Sequence, residues 1–452
     1  MPLWRYGVGV SMLLALLGPV QSFSQPSEER EIQLRPDTEQ QTPLGLLGFS
    51  KADVAGLQLS AFVVGSFSYN SHIQMVPEFA GGAAALADPG STNFRFDKFG
   101  LGVSKTFASW LSAGAAFEVE SHRDRHTHGF DPEFGCPGAG PCMEQFGAEE
   151  AETEVNLDRF HVTAVAPLGN GVALSFGRFD VPFGIERHDE PLLLTATTSE
   201  VFRFGRPERM TGVQVSYPFT PSVDMSLWVV NRWENEVTGE GDFNDNNRDK
   251  SFGGRMGLTP FPRRGLLNIG LGGFYGPEQD DENGNKRWII DVDATWTPLP
   301  QLLIAGEFVY GMEDNRAMRQ RGGPIAAPAE VTDVTWWGMY VLLHYDIVRW
   351  LGLSFRYGYF DDRDGGRTGV DQQLQSWTFA PIVHLSRLIP TLRPTGATYA
   401  RSRHAIDWLD LKIEYRLNRS NEAVFSDAEP GEDILEADKI SHQVQLQLVA
   451  NF

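Results

Sequence analysis

From residue 440 to the end of the chain, apolar and polar residues take turns. Val444, Leu446, Leu448, Ala450 and Phe452 fall on one side of an extended backbone, with Gln443, Gln445, Gln447 and Asn451 on the other. Segment 407–417 repeats the pattern, with Leu409, Leu411, Ile413, Tyr415 and Leu417 opposite Asp410, Lys412, Glu414 and Arg416. It recurs at 111–120, where Glu118 and Glu120 oppose Phe117 and Val119. At 288–296, Asp291 and Asp293 oppose Ile290 and Val292, and at 351–359 Ser354 and Arg356 oppose Leu353, Phe355 and Tyr357. A soluble core would charge several kcal/mol for each such unpaired ion, whereas a wet lumen accepts them. Aromatic residues at the segment ends suit the interfacial girdles of a membrane barrel.

The alternation predicts strands near 57–69, 94–107, 110–121, 153–166, 171–180, 211–219, 223–233 and 250–259. A second set lies near 266–276, 287–297, 301–311, 334–346, 351–360, 373–386, 407–417 and 440–452. The fold expected is all-β, a transmembrane antiparallel barrel of 16 strands. Short links alternate with long ones, as periplasmic turns alternate with external loops, except at 387–406. That link is long where a turn is due, so an extra hairpin and 18 strands are the alternative.

The N-terminus adds an export signal. Arg5 precedes the apolar run Val8 to Leu17, Gly18 and Pro19 follow, and Ser22 and Ser24 stand before Gln25 at the small-residue positions of a cleavage site. Residues 1–24 are expected to be a signal peptide, 25–55 a poorly structured periplasmic lead-in, and 56–452 the barrel. The apolar run is little more than half the roughly 20 residues that a spanning helix needs. The expected location is the outer membrane of a Gram-negative-type bacterium, in contact with lipid and lipopolysaccharide.

A net charge of -21 argues against a nucleic-acid partner, because phosphate binding needs clustered Lys and Arg. The two cysteines, Cys136 and Cys142, lie in a Gly/Pro-rich loop of an exported chain; a small disulfide is expected, free thiols being the alternative. No GxSxG, HExxH or phosphate-cradling loop is present, and no cofactor or metal is expected. Loop 122–152 offers His122, His126 and His128 without a fixed geometry, which reads as a solvated loop. In loop 234–249, Asp242, Asn244 and Asn246 match the start of a calcium loop, but Gly253 stands where the bidentate Glu belongs.

A barrel of 16 strands leaves an aqueous channel, so passive diffusion of small hydrophilic solutes or ions is the expected function. The lumen-lining residues expected from the alternation are Glu118, Glu120, Arg232, Arg255, Asp291, Asp293, Glu307, Arg356, Lys412, Glu414 and Arg416. Loop 181–210 mixes apolar residues (Leu192, Val201, Phe202, Phe204) with charges and is expected to fold inward. Its Glu186, Arg187, Asp189, Arg203, Arg206 and Arg209 are candidate constriction residues; the alternative is that they pair with one another across the loop. The rival functions are a barrel enzyme of lipase or protease type, or a surface receptor or adhesin working through its external loops.

The stretch Gly177 to Pro191, Gly-Arg-Phe-Asp-Val-Pro-Phe-Gly-Ile-Glu-Arg-His-Asp-Glu-Pro, resembles the strand-to-loop segment of OmpL-like outer-membrane porins. Phosphate-selective porins carry a similar stretch. The opening strand from Gly56 through Phe62 to Tyr69 and the terminal Phe452 extend the resemblance over most of the chain. It implies an outer-membrane channel and suggests a homotrimer. The phosphate-selective relatives rely on lysine-rich pores, and this chain has no lysine ladder, so the resemblance assigns no ion preference.

Overall fold

A computed structural model describes residues 52–54, 57–74, 92–124, 150–235, 244–261, 267–318, 330–389, 407–426 and 437–451. Sixteen long strands make the wall. They are β1 Leu57–Asn70, β2 Thr92–Ala108, β3 Leu111–Asp124, β4 Glu150–Ala166, β5 Val172–Asp180, β6 Arg209–Thr220, β7 Val223–Val230 and β8 Ser251–Leu258, followed by β9 Leu267–Gly276, β10 Arg287–Leu299, β11 Leu302–Met318, β12 Glu330–Val348, β13 Leu351–Asp362, β14 Gln372–His384, β15 Leu409–Ser420 and β16 Ile440–Asn451. Each pairs antiparallel with the next, and β16 pairs with both β15 and β1, which closes the sheet into a barrel. Closure leaves no strand edge unpaired, the condition for crossing lipid with strands. Ala52–Val54 folds back on β1, and a small sheet joins Ile73–Gln74, Phe425–Ser426 and Ala437–Asp438.

The period-2 pattern maps onto the two faces of this wall. Leu271, Ile290, Val292, Trp296, Phe355, Tyr415, Leu446 and Leu448 are exposed on the outside, while Asp291, Asp293, Arg356, Glu414 and Gln447 are buried within. Two strands differ from the sequence expectation. β7 stops at Val230, so Arg232 lies beyond it in a connection and does not line the barrel wall. β11 runs on past residue 311 to Met318, through an irregularity between Glu313 and Arg316 where Asn315 takes a positive φ of 46°. The strand count settles at 16; residues 390–406, where an extra hairpin was the alternative, lie outside the described residues, as do Cys136 and Cys142.

The inside carries an apolar core that simple alternation does not predict. Trp228, Phe274, Ile289, Val309, Trp336, Tyr340, Phe360 and Leu374 point inward from β7 and β9 to β14, and they pack against the segment that follows β5. Fully burying side chains of this size contributes roughly 1.5–3 kcal/mol each. That core fixes the segment in place.

Candidate functional site

Residues 181–208 leave the end of β5 and turn into the barrel. Val181, Phe183, Val201 and Phe204 are almost fully buried in the inner core. Phe183 lies 5.9 Å from Trp228 between ring centroids, and Phe204 lies 5.8 Å from Phe360. Close seating requires a bare backbone on the wall: a Cβ placed on Gly272 of β9 would stand 2.8 Å from the Phe183 Cβ. Gly184 needs its own lack of a side chain twice over. Its φ of 74° disfavours any Cβ, and an added one would meet Arg206 Nε and Glu307 Oε1 at 2.6 Å.

The polar face of the loop is fastened strand by strand. Arg206 Nε donates to Glu307 Oε1 of β11 at 2.6 Å, and Tyr340 Oη of β12 and the Ile185 N–H donate to Glu307 Oε2 at 3.0 and 2.9 Å. From β13, Arg356 Nη1 donates to Glu186 Oε1 at 2.6 Å and also reaches Thr195 Oγ1 and the Thr197 carbonyl. On β15, Glu414 accepts from the Ala196 and Thr197 N–H groups, Lys412 Nζ donates to the Glu190 and Thr195 carbonyls, and Arg416 pairs with Glu200. Glu200 Oε2 also accepts from Ser376 of β14, and Gln447 of β16 reaches the Ala196 carbonyl at 3.5 Å.

The opposite end meets β2 to β4. Lys98 Nζ stands 2.5 Å from Glu120 Oε1 and 3.4 Å from Glu118 Oε2, with His188 Nε2 at 3.2 Å from the latter. Arg159 joins Asp158, Asp180 and Asp189 at 2.8, 2.7 and 2.7 Å. The loop is thus held by walls on facing sides of the barrel. Burial would by itself raise the Glu200 carboxyl, but the Arg416 and Arg356 guanidiniums outweigh it and hold the group below its ordinary range. At Glu190 the balance reverses, since burial outweighs Lys98 and His188 and the carboxyl is pushed up.

A family model described as beta-barrel porin-2, OmpL-like, matches residues 57–446. The chain belongs to this family. It is an outer-membrane porin, a channel of the outer membrane. Among solved structures, the fold is similar to the outer membrane channel DcaP of Acinetobacter baumannii, at 11% identity and a TM-score of 0.51, covering 90% of this chain and 100% of that one. It is equally similar to Salmonella typhi OmpF in complex with daunomycin, at 11% identity and a TM-score of 0.51, covering 89% of this chain and 100% of that one. A search of curated proteins finds no sequence match.

In this OmpL-like porin the residues expected to line a wet lumen occupy a drier place than the sequence implied. Glu118, Glu120, Arg255, Asp291, Asp293, Glu307, Arg356, Lys412, Glu414 and Arg416 lie on the inner face of the wall, and all are buried. The inserted loop supplies many of their partners. Of the loop residues singled out, Glu186, Asp189 and Arg206 bond to the wall, whereas Arg187 turns back onto the Phe183, Gly184 and Glu186 carbonyls. Arg203 lies over the Phe204 ring at 4.9 Å. Arg209 begins β6 and pairs with Asp158 at 2.5 Å and Glu118 at 3.5 Å. Pairing thus runs mainly from loop to wall.

Sequence reasoning missed Lys98, Arg159, His188, Glu200 and Arg367. Arg367 Nε donates to the Phe204 carbonyl at 2.8 Å, and its guanidinium stacks 4.9 Å from Trp233, whose ring also meets Arg287 at 4.9 Å. Lys98 could have been found: it is a lone cation between Phe96 and Phe99 in an aromatic strand. The remainder carried no local signal.

Proposed function

We propose that this porin is a passive diffusion channel for small hydrophilic solutes or ions whose conducting path is narrowed by residues 181–208. The observation that carries the reading is the fastening of this loop to β9–β16 on one side and β2–β4 on the other. A loop tethered to facing walls reduces the free cross-section, and its charges set the field that a solute crosses. Glu186, Asp189 and Arg206 are the constriction residues on this reading, with Glu307, Arg356, Glu414 and Arg416 as wall counterparts. Its apolar exterior suits lipid, and the homotrimer suggested by the family resemblance is kept as part of the proposal, to be tested by cross-linking in native membranes. A barrel enzyme is not favoured by any arrangement described above.

Single-channel recording in planar bilayers tests the constriction. A variant lacking 186–206 is expected to conduct more per channel and to lose ion preference, with heat-modifiable gel mobility showing that it has folded. Unchanged conductance and selectivity in a folded deletion would overturn the proposal.

A further inference from the structure

The buried charges around Arg159 do not balance. Glu118, Glu120, Asp158, Asp180, Asp189 and Glu190 are joined through ion pairs to three permanent cations, Arg159, Arg209 and Lys98, with His188 beside Glu118 and Glu120, so carboxylates outnumber cations six to three among these residues. Glu118, Asp158 and Asp189 are 3%, 1% and 1% exposed, so water does not screen them. Each offers a carboxylate oxygen within 4.8 Å of the others. Moreover, Glu118 Oε1 and Asp189 Oδ1 are buried with no hydrogen-bond partner, while the second oxygen of each is already engaged by a cation. A buried carboxylate oxygen with no hydrogen-bond partner keeps its desolvation cost uncompensated.

Two neighbouring groups have already met this need. Where Glu118 and Glu120 approach His188, the Lys98 ammonium sits 2.5 Å from both Glu120 Oε1 and His188 Nε2. Where Asp407 and Asp410 approach His384, Arg387 binds Asp407 at 2.8 Å and His384 binds Asp410 at 2.7 Å. In the Glu118, Asp158 and Asp189 group, Arg159 and Arg209 take both Asp158 oxygens while Lys98, Arg209 and His188 share Glu118 Oε2, which leaves Glu118 Oε1 and Asp189 Oδ1 without a hydrogen-bond partner.

We infer that Glu118, Asp158 and Asp189 form a binding site for one hard divalent cation of the calcium type. All-oxygen, carboxylate-rich donors select such an ion over softer metals. One divalent ion also offsets most of the local excess charge. Because Asp189 belongs to the inserted loop while Glu118 and Asp158 belong to β3 and β4, the ion ties loop to wall.

The test is calcium titration by isothermal calorimetry on the full barrel, refolded in detergent and stripped with a chelator. Wild type is expected to bind one tight Ca2+ per chain, with a chelator-reversible rise in thermal stability. Asp189→Asn and Glu118→Gln are expected to weaken that binding at least tenfold, while Asp249→Asn, at an exposed carboxylate, leaves it unchanged. Absence of saturable binding by wild type overturns the site, whether or not the variants fold. Equal binding by wild type and folded Asp189→Asn overturns it too. Conductance is read separately, so failure of the ion site leaves the constriction proposal standing.

Discussion

Arg206 and Glu307 stand 101 residues apart in sequence and share a hydrogen bond of 2.6 Å inside the barrel, with almost no surface left to solvent on either. The pair is one of several bonds holding Glu307, which also accepts from Tyr340 and the Ile185 N–H. Removing one partner of such a pair leaves the other charge stranded. Glu307→Gln is therefore expected to destabilise the barrel by about 3–5 kcal/mol. Denaturant unfolding monitored by tryptophan fluorescence measures that loss, and an unaltered midpoint would show that Arg206 finds another counter-charge.

Gly184 sits at the same junction. Gly184→Ala forces a Cβ into a backbone of φ 74° and to within 2.6 Å of Arg206 Nε. The strain alone is of order 1–3 kcal/mol. Its expected signature is a noisier, larger single-channel current, because the loop leaves its seat before the wall melts. A quiet channel of wild-type amplitude contradicts this.

Phe183 anchors the apolar side. Phe183→Ala empties a pocket lined by Gly272 and Trp228, at a cost of about 3–5 kcal/mol. Partial recovery of thermal stability in Phe183→Leu, which refills much of the same space without crowding Gly272, would show that volume above β9 is what matters.

Much of the wall was legible because one of its faces meets lipid. Where the inward partner is polar, as in Glu414 between Ile413 and Tyr415, period 2 survives intact and the strand declares itself. Where the inward partner packs under the loop, the alternation disappears: Trp336 and Trp337, or Leu342 and Leu343, are both apolar yet point opposite ways. The inner core was invisible for that reason. Loop 181–210 announced its inward turn through its apolar content, but its partners could not be read, since Arg206 and Glu307 are related only by barrel closure. Arg232 shows the opposite error, in which alternation was extended beyond the last residue of β7, Val230.

Two carboxyls on the loop predict an acid response with a maximum. Glu190 is raised above its ordinary value of 4.5, so its buried charge opposes folding at neutral pH, and that penalty is relieved as pH falls through its folded value. Glu200 is held below 4.5, so its contribution is fully present above that pH and is lost only as pH drops through its lower folded value. Thermal stability should rise on mild acidification and fall below about pH 4. Glu190→Gln should erase the rise and Glu200→Gln should blunt the fall; profiles identical to wild type would remove both groups from the account.

The partners of the inserted loop also impose an order of events. Asp293, which accepts from the Gly184 N–H, and Glu307, Arg356, Glu414 and Gln447 all come later in the chain than the segment they hold. A barrel still growing toward its C-terminus has nowhere to seat residues 181–208, whose buried phenylalanines then lie uncovered. Seating is a late act of biogenesis that waits for β16 to meet β1, and a stalled intermediate carries a sticky, unhoused segment by which an assembly or degradation machine can tell it from a finished channel.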